Sequence, residues 1–82
     1  PDIDVVFIAT PCELHVPMAL TAIDAGKHIY CEKPVGIRMD EIRWLYGAAK
    51  NYSKVFCVGQ QMRSYEDFQK TIAWVHDGNL GE

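Results

Sequence analysis

Apolar residues arrive along this chain in two kinds of run, and the alternation between them predicts the fold. Val5-Val6-Phe7-Ile8-Ala9 is a continuous β-rich stretch without polar interruption, the pattern of a strand buried on both faces of a parallel sheet. Thr10-Pro11 stops it. Val16, Ala19, Leu20 and Ile23 follow at i, i+3, i+4 and i+7, an amphipathic helix laid on that sheet. Pro17 suits the first turn of this helix, so residues 12–16 form the loop and helix start. Gly26 suits a left-handed stop, and His28-Ile29-Tyr30-Cys31 is the second strand. A second helix is predicted from about residue 39 to 51, with Ile42, Leu45, Tyr46 and Ala49 facing inward. Asp40 and Glu41 complement the positive end of its dipole, while Arg38 stands where a Ser or Thr cap is preferred. Residues 54–58 are the third strand, ended by Gly59. Ser64 is expected to cap a third helix with Asp67 in capping-box position, its buried face formed by Tyr65, Phe68, Ile72 and Val75, until Asp77-Gly78 ends it.

Strand and helix therefore alternate three times, with helix-length connections and no hairpin signal. That order predicts an α/β fold with parallel strands and right-handed crossovers, in three layers. Three strands are half of a doubly wound sheet, so the chain reads as half a domain with a sheet edge left open. Composition agrees: of 82 residues, 49% are hydrophobic and 23% charged, the balance of an ordinary globular protein. A net charge of −3 with scattered Lys and Arg argues against a nucleic-acid partner. No run reaches the roughly 18 apolar residues of a membrane span. Cys12, Cys31 and Cys57 are odd in number and widely spaced, which suggests neither a disulfide framework nor a zinc site. They read as reduced thiols, so a cytoplasmic location is expected. The chain opens on Pro1-Asp2-Ile3-Asp4 with no initiator Met and reads as an excerpt; an exported protein, with a leader upstream, is the alternative.

Chemistry concentrates at Cys31-Glu32-Lys33-Pro34, where the second strand gives way to a loop. In open α/β sheets ligands bind beyond the carboxyl ends of strands. A lysine there is a cationic proton donor, a glutamate accepts from hydroxyls, and a proline fixes the backbone that aims both. Thr10 and Pro11 end the neighbouring strand at the same side of the sheet, and Gly59 ends the third without a side chain, allowing close approach. Gln61 and Arg63 follow at the next strand-to-helix turn, Arg63 as either a substrate clamp or a structural ion-pair former. His28, at the start of a strand, reads as packing with a surface hydrogen bond. His76, in a last helical turn, suits the dipole. Trp44 and Trp74 read as helix-surface residues.

Taken together in order, Ala9-Thr10-Pro11, His15, Ala25-Gly26-Lys27-His28, Cys31-Glu32-Lys33-Pro34, Val58-Gly59-Gln60-Gln61-Met62-Arg63 and Gly78-Asn79-Leu80-Gly81-Glu82 resemble the Gfo/Idh/MocA family of NAD(P)-dependent oxidoreductases. The resemblance implies a Rossmann domain followed by a larger α/β substrate domain, with this chain as strands four to six of the first. It implies NAD or NADP as cofactor, a sugar or polyol as substrate, and a homo-oligomeric full-length protein without nucleic-acid or membrane partners. Thr10, Pro11, His15, Glu32, Lys33, Pro34 and Gly59 become expected cofactor contacts, Glu32 accepting from the nicotinamide-ribose hydroxyls. Lys33 becomes the expected catalytic residue, donating to the substrate oxygen, with Gln61 and Arg63 beside it on the substrate. The Lys33–Pro34 peptide is expected to be cis. Cys12 stands where family members often carry Asn, and a thiol does not reproduce an amide's hydrogen bonds. No G-x-G-x-x-G occurs, so the pyrophosphate site is expected outside these residues. Two other functions fit the same residues: a hydrolase of the family that retains its NAD, and a Rossmann-like binding module without turnover.

Overall fold

The computed structural model describes residues 2–81; Pro1 and Glu82, which open the chain and close the last motif, lie outside the described residues. Three strands, β1 (Val5–Ile8), β2 (His28–Cys31) and β3 (Phe56–Val58), form one parallel sheet in the order β1-β2-β3. Register places Ile8 beside Cys31 and Cys31 beside Val58 on one face, and Phe7 beside Tyr30 and Tyr30 beside Cys57 on the other. Helix α1 (His15–Asp24) connects β1 to β2, and α2 (Met39–Ala49) connects β2 to β3. A 3₁₀ turn, Cys12–Leu14, leads into α1, and Pro17 falls in its first turn as the sequence predicts.

The core lies between the helices and one face of the sheet. Ile8, Ile29 and Cys31 from the strands meet Val16, Ala19 and Ala22 of α1 and Leu45 of α2, with Val6, Leu20, Ile23 and Phe56 packed around them. Burying each large aliphatic side chain contributes about 1.5–3 kcal/mol. Gly36 lets the loop before α2 lie against both helices: a Cβ there would stand 2.8 Å from Ile42 Cγ1 and 2.9 Å from Val16 Cγ2. Beyond α2, the Tyr52 hydroxyl donates to the Lys27 carbonyl at 2.7 Å, and the Val55 N–H donates to His28 Nδ1 at 3.0 Å. Both contacts pin the return of the chain to the start of β2, and His28 has the packing role expected of it.

Several expectations are corrected. Among the described residues the strands are not covered on both faces: Val5 is 58% and Phe7 62% exposed, and the helices lie against the other face. The second helix stops at Ala49, and Tyr46 is exposed where the stripe predicted burial. The first strand ends at Ile8 and the third begins at Phe56, each shorter than predicted. Ser64 does not cap the third helix; it closes a 3₁₀ turn, Gln61–Ser64, and α3 (Glu66–Trp74) starts after Tyr65, whose extended backbone (φ −73°, ψ 133°) breaks the two apart. The apolar stripe of α3 is present but uncovered, with Tyr65, Phe68, Ile72 and Val75 all exposed, because α3 contacts the turns that flank it and not the sheet. A π-helical turn, Val75–Asn79, carries His76 and includes Gly78, whose φ of 83° interrupts the helix where Asp77-Gly78 was expected to end it.

Candidate active site

A parallel sheet points all its strand ends the same way, and here that places the chemistry-bearing residues at one edge. The Glu32 N–H donates to the Ile8 carbonyl at 2.9 Å and the Gly59 N–H to the Cys31 carbonyl at 2.8 Å, which carries the ladder past the formal ends of the strands. Thr10, Glu32, Lys33 and Gly59 thus share the carboxyl edge, as predicted. The Lys33–Pro34 peptide is cis. Lys33 is exposed and, among the described residues, in no ion pair; the pairs there are Arg38–Asp40 and Glu66–Lys70. Its ammonium is therefore not engaged by another side chain's charge. Glu32 is half-buried beside it.

Gly59 is buried, and its surroundings revise its expected role. A Cβ at this position would stand 2.8 Å from Tyr30 Oη and 3.0 Å from Glu32 Oε2. The space a side chain would need is filled by this chain's own carboxylate and phenol, so Gly59 serves first to admit Glu32. Tyr30, which the sequence reading did not single out, is held by stacking on Phe7, with ring centroids 4.7 Å apart and planes within 10°. The signal for it was the pairing of two aromatics on one face, visible only once the register is known.

His15 is also placed otherwise than expected. It is 1% exposed, with Nδ1 2.7 Å from the Pro34 carbonyl oxygen and Nε2 2.9 Å from the Thr10 carbonyl oxygen. Both ring nitrogens are occupied by backbone, so the imidazole presents no free edge to a cofactor. Thr10 Oγ1 is buried without a hydrogen-bond partner among the described residues, and Pro11 is exposed. Cys31 is buried in the core; burial pushes its thiol up from its ordinary pKa, and the neighbouring Glu32 carboxylate adds to this. Gln61 and Arg63 lie exposed on the turn after β3, and no hydrogen bond or ion pair joins their side chains to Glu32 or Lys33. Away from the edge, Arg38 donates to Asp40 and the Glu41 N–H donates to the same carboxylate, which holds Asp40 at a pKa of about 2. No group of three or more His, Cys, Asp or Glu that could hold a metal occurs among the described residues, and no helix among them is long and apolar enough to cross a membrane.

A parallel α/β sheet with an acid, a lysine and a glycine at its carboxyl edge has the layout of a dinucleotide-binding domain. The family model described as "Oxidoreductase family, NAD-binding Rossmann fold" matches residues 1–60, and the chain belongs to that family, Gfo/Idh/MocA. The match is to the family's N-terminal Rossmann region; it does not single out the second half of that region or number these strands as four to six. Myo-inositol 2-dehydrogenase from Lactobacillus plantarum superposes with a TM-score of 0.91 at 28% identity, over 100% of this chain and 24% of that one. A levoglucosan dehydrogenase solved with NADH and levoglucosan gives a TM-score of 0.85 at 38% identity, over 95% of this chain and 21% of the other. A glycosyl hydrolase family 109 protein of Saccharopolyspora erythraea is 35% identical over 82 residues, 99% of this chain and 18% of its own length. The chain spans a quarter or less of the length of the curated relatives it matches.

Proposed function

We propose that a full-length protein carrying this chain is an NAD(P)-dependent oxidoreductase that moves a hydride between the cofactor and a sugar, polyol or related hydroxyl compound. The observation that carries the reading is the convergence of Thr10, Glu32, Lys33 and Gly59 on one carboxyl edge of a parallel sheet. The residues fit one end of the cofactor. Glu32, free of any cation's grip among the described residues, can accept from ribose hydroxyls, and Thr10 and Pro11 border the same edge. They supply no Gly-rich turn, which supports assigning this chain to strands four to six of the domain and the pyrophosphate to its other half. Thr10, Pro11 and Glu32 would hold the nicotinamide end of NAD(P), which would supply the hydride acceptor or donor.

Lys33 holds the substrate oxygen by a charged hydrogen bond and supplies a proton to it in the reducing direction. A positioned acid or base is worth roughly 10²–10⁴ in rate. Gln61 and Arg63 are assigned to the substrate side, where closure of a second domain would bring sugar hydroxyls to them. The levoglucosan complex of a relative supports a sugar substrate and NAD, and three unpaired thiols support a reducing compartment. The test is Lys33→Met in the full-length protein. Turnover is expected to fall by roughly 10²-fold or more with cofactor affinity little changed. Near wild-type turnover at saturating substrate would remove Lys33 from the chemistry.

The similarity to glycosyl hydrolase family 109 proteins favours one second reading, a hydrolase that oxidises and re-reduces its sugar on a retained cofactor. Steady release of NADH separates the two: the dehydrogenase accumulates it with turnover and the hydrolase does not.

A further inference from the structure

We propose that His15 is a positioning residue for Lys33, holding the Lys33-Pro34 loop in place through the Pro34 carbonyl. The inference rests on the role of Lys33 proposed above. His15 is the first residue of α1 and is 1% exposed, wedged between the ends of β1 and β2. Its two ring nitrogens reach carbonyls on two different loops, Pro34 at 2.7 Å on Nδ1 and Thr10 at 2.9 Å on Nε2. No other side chain among the described residues hydrogen-bonds to Lys33 or Pro34. An imidazole with one N–H donates to only one of two carbonyl oxygens; we assign the proton to Nδ1, whose contact is the shorter and ends on the residue that immediately follows Lys33, so the ring fixes the backbone from which the lysine projects. Reactive groups displaced by about 1 Å lose on the order of 10²-fold in rate, so a tie one residue from the ammonium acts on turnover.

The two contacts separate by substitution. An Asn amide nitrogen reaches the place of Nδ1 and a Gln amide nitrogen the place of Nε2, so His15→Asn keeps a donor for Pro34 and His15→Gln keeps one for Thr10. His15→Phe fills the volume and keeps neither. In the full-length protein, kcat is expected to fall about tenfold to 100-fold in His15→Phe and His15→Gln and to recover largely in His15→Asn. Each amide variant keeps one of the two contacts, and its melting temperature is measured beside its kcat. Tyr52→Phe, which removes the bond to the Lys27 carbonyl at the amino end of β2, supplies a destabilised control with wild-type kcat at the assay temperature. Turnover that follows melting temperature across all four variants, or equal turnover in the Asn and Gln variants, overturns the proposal and makes His15 core filling. A Lys33→Met variant run alongside keeps the two failures apart. If it retains turnover the reading of Lys33 falls. If it loses turnover while His15→Gln does not, only the role of His15 falls.

Discussion

Gly59 and Glu32 show how one missing side chain decides a site. With a hydrogen in place of Cβ, the Glu32 carboxylate and the Tyr30 hydroxyl close over the end of β3. In Gly59→Ala something must yield, and the two neighbours are not equally free. Tyr30 is stacked on Phe7, whereas Glu32 follows the last residue of β2 with a flexible side chain. The carboxylate therefore swings away. The expected outcome is weaker NAD binding by about tenfold, the size of one lost hydrogen bond to a charged group. Adding Tyr30→Phe should restore part of it by removing the closer oxygen. Calorimetric titration of NAD into the full-length single and double variants measures both, and unchanged affinity in Gly59→Ala would detach Glu32 from the cofactor.

At the scale of elements, the glycine in α2 behaves in the opposite way. Gly47 lies inside the helix, exposed, with nothing within 4 Å of where its Cβ would be. Gly47→Ala should stabilise the protein by about 0.5–1 kcal/mol, read as a higher urea midpoint with an unchanged slope. How much the sequence disclosed also divides by element. β1, β2, α1 and α2 were legible because each has a partner within the chain, so apolar periodicity and burial coincide for Val16, Ala19 and Leu45. The stripe of α3 was equally legible as a pattern, but burial needs a second surface, and none of the described residues provides one. The strand-end motif was legible because parallel strands deliver their ends to one edge whatever the details. What His15 does was not, because its partners are main-chain carbonyls 5 and 19 residues away, which every residue has and no side-chain pattern marks.

For the whole molecule the consequence is an uneven surface. Phe7, Val5 and Val55 leave the sheet's outer face apolar and open, and Phe68, Ile72 and Trp74 do the same on α3. Contiguous apolar patches of this kind drive association in water. The 82 residues produced alone are expected to bind a hydrophobic dye and to scatter light increasingly with concentration. A full-length protein carrying them should do neither. Sedimentation of the isolated chain as a dye-negative monomer would show that these faces are compatible with solvent.

The one-sided covering of the sheet also fixes how the same mutation would fare under two kinds of selection. Val6 and Phe7 are neighbours in β1, yet Val6 packs against the core and Phe7 is 62% exposed. A library of this chain displayed by itself and sorted for soluble expression should enrich Phe7→Thr and reject Val6→Thr. Sorted for turnover within a longer protein that covers the outer face, the library should reject both. The difference between the two enrichment maps, position by position along β1 and β3, would trace the footprint of whatever layer rests on the Phe7 side.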